Sequence, residues 1–202
     1  MKTVLLHGLG QTAQDWKEVA RQLSTSEVDC PELFSATGDE ISYARILADL
    51  ERRYANTAEP LCICGLSLGA LLALDLTIRH GDNVESLVLI AAQYKVPTFL
   101  IDFQNFLFRC MPGKRFDSMG LSKSDVIRLS HSMRSLDFTS QLDRVTCPVT
   151  VLCGGKDGPN LKASKKLSEL LPRATLQIVP GAGHEMNKDA PEIIAAVLNK
   201  KP

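Results

Sequence analysis

The sequence carries little that would direct it to nucleic acid or into a membrane. Its 23 basic and 23 acidic residues cancel, so no excess of positive charge favours a nucleic-acid partner. The apolar stretch that follows Lys2 is too short for the core of a signal peptide. A longer apolar stretch, the 18 residues from Leu61 to Ile78, contains Ser67 and Asp75, and a buried strand followed by a buried helix explains it better than a membrane span. We therefore expect a soluble protein.

Cysteine is present, but its arrangement indicates neither a metal site nor a disulfide framework. The six residues are Cys30, Cys62, Cys64, Cys110, Cys147 and Cys153, and no pair of CxxC units occurs among them. Cys62 and Cys64 lie two apart in an apolar run, so on a strand they share one face. Because cysteine packs well as a small hydrophobic residue, we favour buried, reduced thiols over disulfides, and with them a cytoplasmic location.

Short apolar runs alternate with segments of helical periodicity. Uninterrupted runs of this length are typical of parallel strands buried on both faces. The runs are Thr3–Leu6, Leu61–Cys64, Val84–Ile90, Val149–Cys153 and Thr175–Val179, with Glu27–Leu33 as a weaker candidate. Helices are predicted over Asp15–Leu23, Ser42–Tyr54, Leu68–His80, Asn160–Leu171 and Asp189–Lys200, the third ending at a left-handed Gly81. We predict a single α/β domain over residues 1–202, a mainly parallel sheet with helices on both faces.

The alternation breaks between Gln93 and Arg144, where no strand-like run occurs. Helices are predicted there over Thr98–Met111 and Ser122–Ser135, and we interpret the segment as a helical insertion between two strands. Four apolar side chains recur in it at helical spacing: Phe99, Phe103, Phe106 and Met111. Either they pack the insertion onto the sheet, or part of the stripe lines a pocket for an apolar substrate.

The motif Gly65-Leu66-Ser67-Leu68-Gly69 follows a strand-like run and opens a helix-like one. That context is typical of a nucleophile elbow, in which a serine on a tight strand-to-helix turn projects its hydroxyl from the sheet edge. The helix behind the serine directs its positive end to the point where negative charge develops during attack on a carbonyl. The alternative is a glycine-rich turn without chemistry.

Three further loops follow predicted strands at the same edge of the sheet. His7-Gly8-Leu9-Gly10 comes after the first strand and can direct a backbone N–H at an oxyanion, with the N–H of Leu68 as its partner, or it is a turn that only ends the strand. Asp157 lies on the loop after Val149–Cys153, where it could instead cap a helix. His184 follows the last strand on the small-residue loop Pro180-Gly181-Ala182-Gly183.

Together these loops resemble those of the α/β-hydrolases of the small esterase and lipase-like kind, over nearly the whole chain from His7 to His184. The order Ser, Asp, His is that of the family. The resemblance implies that Ser67 attacks an acyl carbonyl, that His184 takes its proton and that Asp157 holds the imidazolium. It also implies that the backbone N–H groups of Leu9 and Leu68 form the oxyanion hole. It implies no metal or organic cofactor, and it places the segment from Gln93 to Arg144 at the position of the family's lid.

Two departures limit the resemblance. The antiparallel hairpin with which the family begins has no counterpart, so we expect a minimal version of the fold. The D-x-R-G-x-G-x-S loop is replaced by Cys30-Pro31-Glu32-Leu33-Phe34-Ser35, which argues against the haloalkane and epoxide branches. We expect hydrolysis of carboxylic esters of small or medium apolar acyl groups. A thioesterase, an acyltransferase or a carbon–carbon hydrolase could use the same residues, and so could a relative that only binds a ligand or a partner.

Overall fold

Six parallel strands form one sheet in the computed structural model, which describes residues 1–25, 27–34, 41–98, 101–102, 105, 110, 112–113 and 121–200. The strands are β1 (Lys2–Leu6), β2 (Val28–Asp29), β3 (Leu61–Leu66), β4 (Val84–Ile90), β5 (Val149–Gly154) and β6 (Ala174–Val179). Their order across the sheet is β2-β1-β3-β4-β5-β6. The parallel α/β sheet predicted from the apolar runs is thereby confirmed, with β2 reduced to two residues of the candidate Glu27–Leu33.

The described part of the chain contains seven α-helices, five between strands and two after β6. They are α1 (Lys17–Ala20), α2 (Tyr43–Tyr54), α3 (Leu68–His80), α4 (Lys123–Ser132), α5 (Gly158–Leu170), α6 (Met186–Asp189) and α7 (Pro191–Leu198). Short 3₁₀ helices occupy Ala13–Trp16, Gly81–Asn83 and Thr139–Arg144. Ser42 caps α2, where its hydroxyl accepts a hydrogen bond from the backbone N–H of Arg45.

The helices bury two apolar layers, one on each face of the sheet. Successive residues of β1 alternate between them: Val4 and Leu6 face the layer formed by α2, α3, α4 and α5, and Leu5 faces the layer formed by α1, α6 and α7. Helix α3 is buried on all sides from Leu68 to Ile78, which explains its continuous apolar sequence. No described helix is both long and apolar enough to cross a membrane.

The structure corrects three local predictions. Gly81 does not end α3 in a left-handed conformation: its φ is −70°, because the 3₁₀ turn at Gly81–Asn83 continues directly from the helix. The helix predicted over Asp189–Lys200 starts only at Pro191, since the residue before a proline is kept out of helical geometry and Ala190 takes φ −150°. The segment predicted as the helix Asp15–Leu23 begins as a 3₁₀ helix and ends at Ala20.

The segment between β4 and β5 is described in part. Val96, Ile101 and Leu121 are buried and, together with the apolar face of α4, join the layer that contains α3. An isolated antiparallel bridge joins Lys95 to Asp137. The four apolar residues singled out in this segment, Phe99, Phe103, Phe106 and Met111, lie outside the described residues, so the lid and its substrate contacts stay predictions.

Candidate active site

Ser67 occupies a strained turn between β3 and α3. Its φ of 55° and ψ of −111° belong to a region that residues with a side chain rarely adopt. Its backbone N–H donates to the carbonyl of Ile90 across 2.9 Å. The two motif glycines permit the turn to pack: a Cβ on Gly65 would collide with the carbonyl of Gly69, and a Cβ on Gly69 with the carbonyl of Leu6. Ser67 is therefore held in one backbone geometry at the N-terminus of α3.

Asp157 and His184 meet at the same edge of the sheet, after β5 and β6. The Nδ1 atom of His184 lies 2.7 Å from Oδ2 of Asp157. The carboxylate side chain is 6% exposed, whereas the imidazole is 44% exposed. Gly154 allows the two loops to approach, because a Cβ there would collide with the carbonyls of Ala182 and Gly183. The carboxylate thus orients the ring, and the ring's other nitrogen remains on its accessible side.

A second partner of Asp157 was not anticipated from the sequence. Nδ2 of Asn160 donates to both carboxylate oxygens of Asp157, at 2.9 and 3.0 Å. The amide of Gln93 in turn donates to Oδ1 of Asn160 at 2.7 Å. The only sequence signal for these hydrogen bonds is that Asn160 is a polar residue three positions after Asp157, at the start of a helix. Gln93 lies 67 residues from Asn160, and no sequence pattern connects the two.

The loop His7-Gly8-Leu9-Gly10 lies against Ser67. A Cβ built on Gly8 would lie 3.5 Å from Cβ of Ser67. Leu9 and Leu68 line the same cavity as Ser67, and neither backbone N–H donates to another of the described residues. His7 itself is buried, with the N–H of Leu33 donating to its Nε2 at 3.1 Å, so it serves the loop rather than the cavity.

Two buried amides tie this loop to the loop that carries His184. Gln11 and Asn187 exchange two hydrogen bonds, of 3.0 and 3.2 Å, and are 2% and 1% exposed. Gln11 also donates to the carboxylate of Glu185 at 3.0 Å and accepts from the N–H of Gly8 at 3.3 Å. The hydrogen bond from Gln11, reinforced by Lys188, lowers the pKa of Glu185. We call Gln11 and Asn187 the amide pair; sequence reasoning missed both residues.

A cavity of about 320 Å³ opens over Ser67 and His184. Its walls are mainly apolar and come from the β1 loop, α3, the segment after β4 and the end of α4: Leu9, Leu71, Val96, Ile101 and Met133. Asn160 and Gln93 contribute polar atoms. Ligand pockets commonly combine such apolar walls with a few polar groups. Among the described residues no cluster of three or more histidines, cysteines or carboxylates could hold a metal ion.

Comparison with known proteins shows the family. The family model described as "Alpha/beta hydrolase family" matches residues 3–197. The chain belongs to this family. A curated relative from Escherichia coli O103:H2, named "Putative carbamate hydrolase RutD", is 23% identical over 96% of this chain and 88% of its own length.

Solved structures of other α/β-hydrolases share the fold. A hydrolase from Pseudomonas aeruginosa PA01 superposes with a TM-score of 0.82 at 18% identity, over 97% of this chain and 87% of its own. A thermophilic esterase from Thermogutta terrifontis superposes with a TM-score of 0.76 at 17% identity, over 98% and 88%. The chain is thus an α/β-hydrolase with esterases among its structural neighbours.

Proposed function

We propose that this α/β-hydrolase is a serine esterase that cleaves carboxylic esters of small or medium apolar acyl groups. The observation that carries the proposal is that His184, hydrogen-bonded to the buried Asp157, lines one cavity with a serine on a strained strand-to-helix turn. The strain supports a role for Ser67, because sparsely populated backbone geometry persists where surrounding structure enforces it and concentrates at functional sites.

The mechanism is a two-step acyl transfer. His184 accepts the hydroxyl proton of Ser67 as the serine oxygen attacks the ester carbonyl, and Asp157 stabilises the imidazolium that forms. The N–H groups of Leu9 and Leu68 donate to the oxyanion of the tetrahedral intermediate. His184 then protonates the departing alkoxide, leaving an acyl-enzyme. Water, deprotonated by His184, attacks the acyl carbonyl and releases the acid and free Ser67.

The apolar walls support an apolar acyl group. Val96, Ile101 and Met133 bring three aliphatic or thioether side chains to a cavity at the small end of the range for ligand sites. Thioesters, carbon–carbon bonds next to a carbonyl and carbamates offer a carbonyl to the same machinery, and the name of the E. coli relative makes carbamates a sensible arm of any substrate panel. A role in binding alone would leave all of these substrates intact.

The test is replacement of the nucleophile. Ser67→Ala should lower kcat for p-nitrophenyl butyrate at least a thousandfold while the protein stays folded, since loss of a triad nucleophile removes the covalent step. A fluorophosphonate probe should label the wild type on the peptide that contains Ser67. Ser24→Ala, at an exposed serine distant from the cavity, is the matched control and should leave both results unchanged. Retention of more than a tenth of the turnover in Ser67→Ala would rule out Ser67 as the nucleophile.

A further inference from the structure

A second cavity, of about 650 Å³, adjoins the one over Ser67. Three residues line both cavities, namely Gln93, Pro97 and Pro159. The two cavities therefore lie side by side and meet at these three residues.

The second cavity is basic. Four lysines line it, Lys95, Lys162, Lys165 and Lys166, against the single carboxylate of Glu169, and we call it the lysine groove. Lys95 is paired with Asp137 at 2.8 Å and Lys166 with Glu169 at 3.1 Å. Lys162 and Lys165 are exposed and form no ion pair with any of the described residues. Because the whole chain has zero formal net charge, this excess of positive charge is local to the groove.

The groove also has a direction. Helix α5 starts beside the active site and places Pro159, Lys162 and Lys166 at successive turns of one face. At a rise of about 1.5 Å per residue, Lys162 lies about 5 Å and Lys166 about 10 Å along the helix axis from Pro159. Positive charge thus begins one helical turn from the shared rim and continues away from Ser67.

We propose that the lysine groove binds an anionic leaving group of the ester substrate, one that carries a phosphate or a carboxylate. The inference rests on the proposed esterase function and adds the chemistry of the alcohol half. The acyl group fills the apolar cavity, the ester carbonyl sits at Ser67, and the alcohol half extends past Pro159 toward Lys162 and Lys165. Lysine ammonium groups bind phosphate as point charges on flexible stems, so the groove accepts either anion.

The experiment compares butyrate esters that differ only in the leaving group. The neutral reference is 4-butyryloxybenzamide, which contains no second ester, the carboxylate arm is 4-butyryloxybenzoate, and the phosphate arm is 4-butyryloxyphenyl phosphate. We expect kcat/KM for the favoured anionic ester to exceed that for the neutral ester about tenfold at low salt, because two exposed ion pairs each contribute a several-fold factor. The ratio should fall toward one in 0.5 M NaCl, where exposed charges are screened. The arm with the larger ratio identifies the anion.

Paired variants assign the effect to the groove. Lys162→Gln/Lys165→Gln should bring the anionic-to-neutral ratio of kcat/KM close to one. Lys17→Gln/Lys200→Gln removes the same charge at exposed lysines of the α1 and α7 layer, on the opposite face of the sheet, and should keep the wild-type ratio. A ratio of one or less in the wild type, or a preference that survives the first double variant, would overturn the proposal.

A binding measurement separates this inference from the esterase proposal. The product 4-hydroxyphenyl phosphate should shift the backbone amide resonances of residues 160–166 in an NMR titration, with a dissociation constant several-fold higher in Lys162→Gln/Lys165→Gln. Binding without ester hydrolysis would leave the groove assigned and refute the esterase function. Hydrolysis of the neutral ester without this binding would refute the groove alone.

Discussion

Two structural requirements conflict at Ser67. The hydroxyl must project toward the substrate, and this requires a φ of 55° that a Cβ tolerates poorly. The turn is nevertheless held by the hydrogen bond from the backbone N–H of Ser67 to the carbonyl of Ile90. The close packing of Gly65 and Gly69 also holds it. The neighbouring strands therefore hold Ser67 in a strained backbone conformation. A substitution at Ser67 that relieves this strain should raise the free energy of unfolding.

Ser67→Gly should be more stable than Ser67→Ala. Glycine relieves a backbone strain of about 1–3 kcal/mol and costs about 0.5–1 kcal/mol of extra chain entropy, so the difference should be about 1 kcal/mol in favour of glycine. Urea denaturation of the two variants measures it, and neither variant should hydrolyse esters. As a control, the same Gly-versus-Ala comparison at Ser24, where φ is not positive, should favour alanine or show no difference. If the alanine variant were the more stable by about 0.5–1 kcal/mol, the entropy cost of glycine alone, the turn would be unstrained.

At the scale of elements, the site is an assembly of loops at the carboxyl ends of parallel strands. The loops after β5 and β6 are joined by the contact of Asp157 with His184, and those after β1 and β6 by the amide pair. Each amide is nearly inaccessible to water, so the hydrogen bonds it makes within the protein, the two of the amide pair among them, replace those it would make to water. We expect the amide pair to hold the Leu9 loop at a constant distance from His184.

Asn187→Leu should destabilise the protein by about 2–3 kcal/mol, because it leaves the buried amide of Gln11 with fewer partners. Combined with Gln11→Met it should cost less than the sum of the two single substitutions, with a coupling of about 1–2 kcal/mol. Urea denaturation of wild type, both single variants and the double variant supplies the full cycle. Additivity of the two substitutions to within about 0.5 kcal/mol would contradict a coupled pair.

At the scale of the whole molecule, buried cysteine thiols on the sheet make the free energy of unfolding depend on pH in the alkaline range. All six cysteines are free, and Cys64 is fully buried in the layer that contains α1 and α7. Burial raises the pKa of the Cys64 thiol well above its ordinary value, and it raises the pKa of Cys30 to about 11. A cytoplasmic location remains a prediction from these reduced thiols.

Stability should fall as pH rises above about 9. An acid whose folded pKa is raised stays protonated in the folded state while it ionises in the unfolded state, so each such thiol favours unfolding by up to about 1.4 kcal/mol per pH unit. Cys64→Ala should be less stable than wild type at pH 7, yet lose about 1.4 kcal/mol less between pH 8 and pH 10. Chemical denaturation at both pH values measures this. An identical loss in the two proteins would exclude Cys64 from the alkaline transition.

Much of the fold follows from patterns within single segments. The apolar runs predicted β1, β3, β4, β5 and β6 because a strand buried on both faces needs a continuous apolar sequence. The bounds of α3 agree with its predicted range, Leu68–His80, and its start follows directly from the local turn at Ser67. The left-handed conformation predicted at Gly81 was wrong, and the helix break at Ala190 was not predicted. The backbone conformation at both residues depends on how the chain continues into the next element.

The candidate site likewise has residues that the sequence predicts and contacts that it does not. Ser67, Asp157 and His184 could be singled out from sequence because each follows a strand in a loop of small residues, and parallel strands end at a common edge. The contacts of Asn160 with Asp157 and of Gln11 with Asn187 could not be predicted from sequence. The position of the lysine groove beside the active-site cavity could not be predicted either. Gln11 and Asn187 lie 176 positions apart, and no local pattern records which polar side chains the sheet brings within 3 Å of one another. Local sequence therefore predicts five of the six strands, most of the helices and the three chemical candidates. Their hydrogen-bond partners follow from tertiary packing alone, because loops distant in sequence can bond to one another only where the fold brings them together.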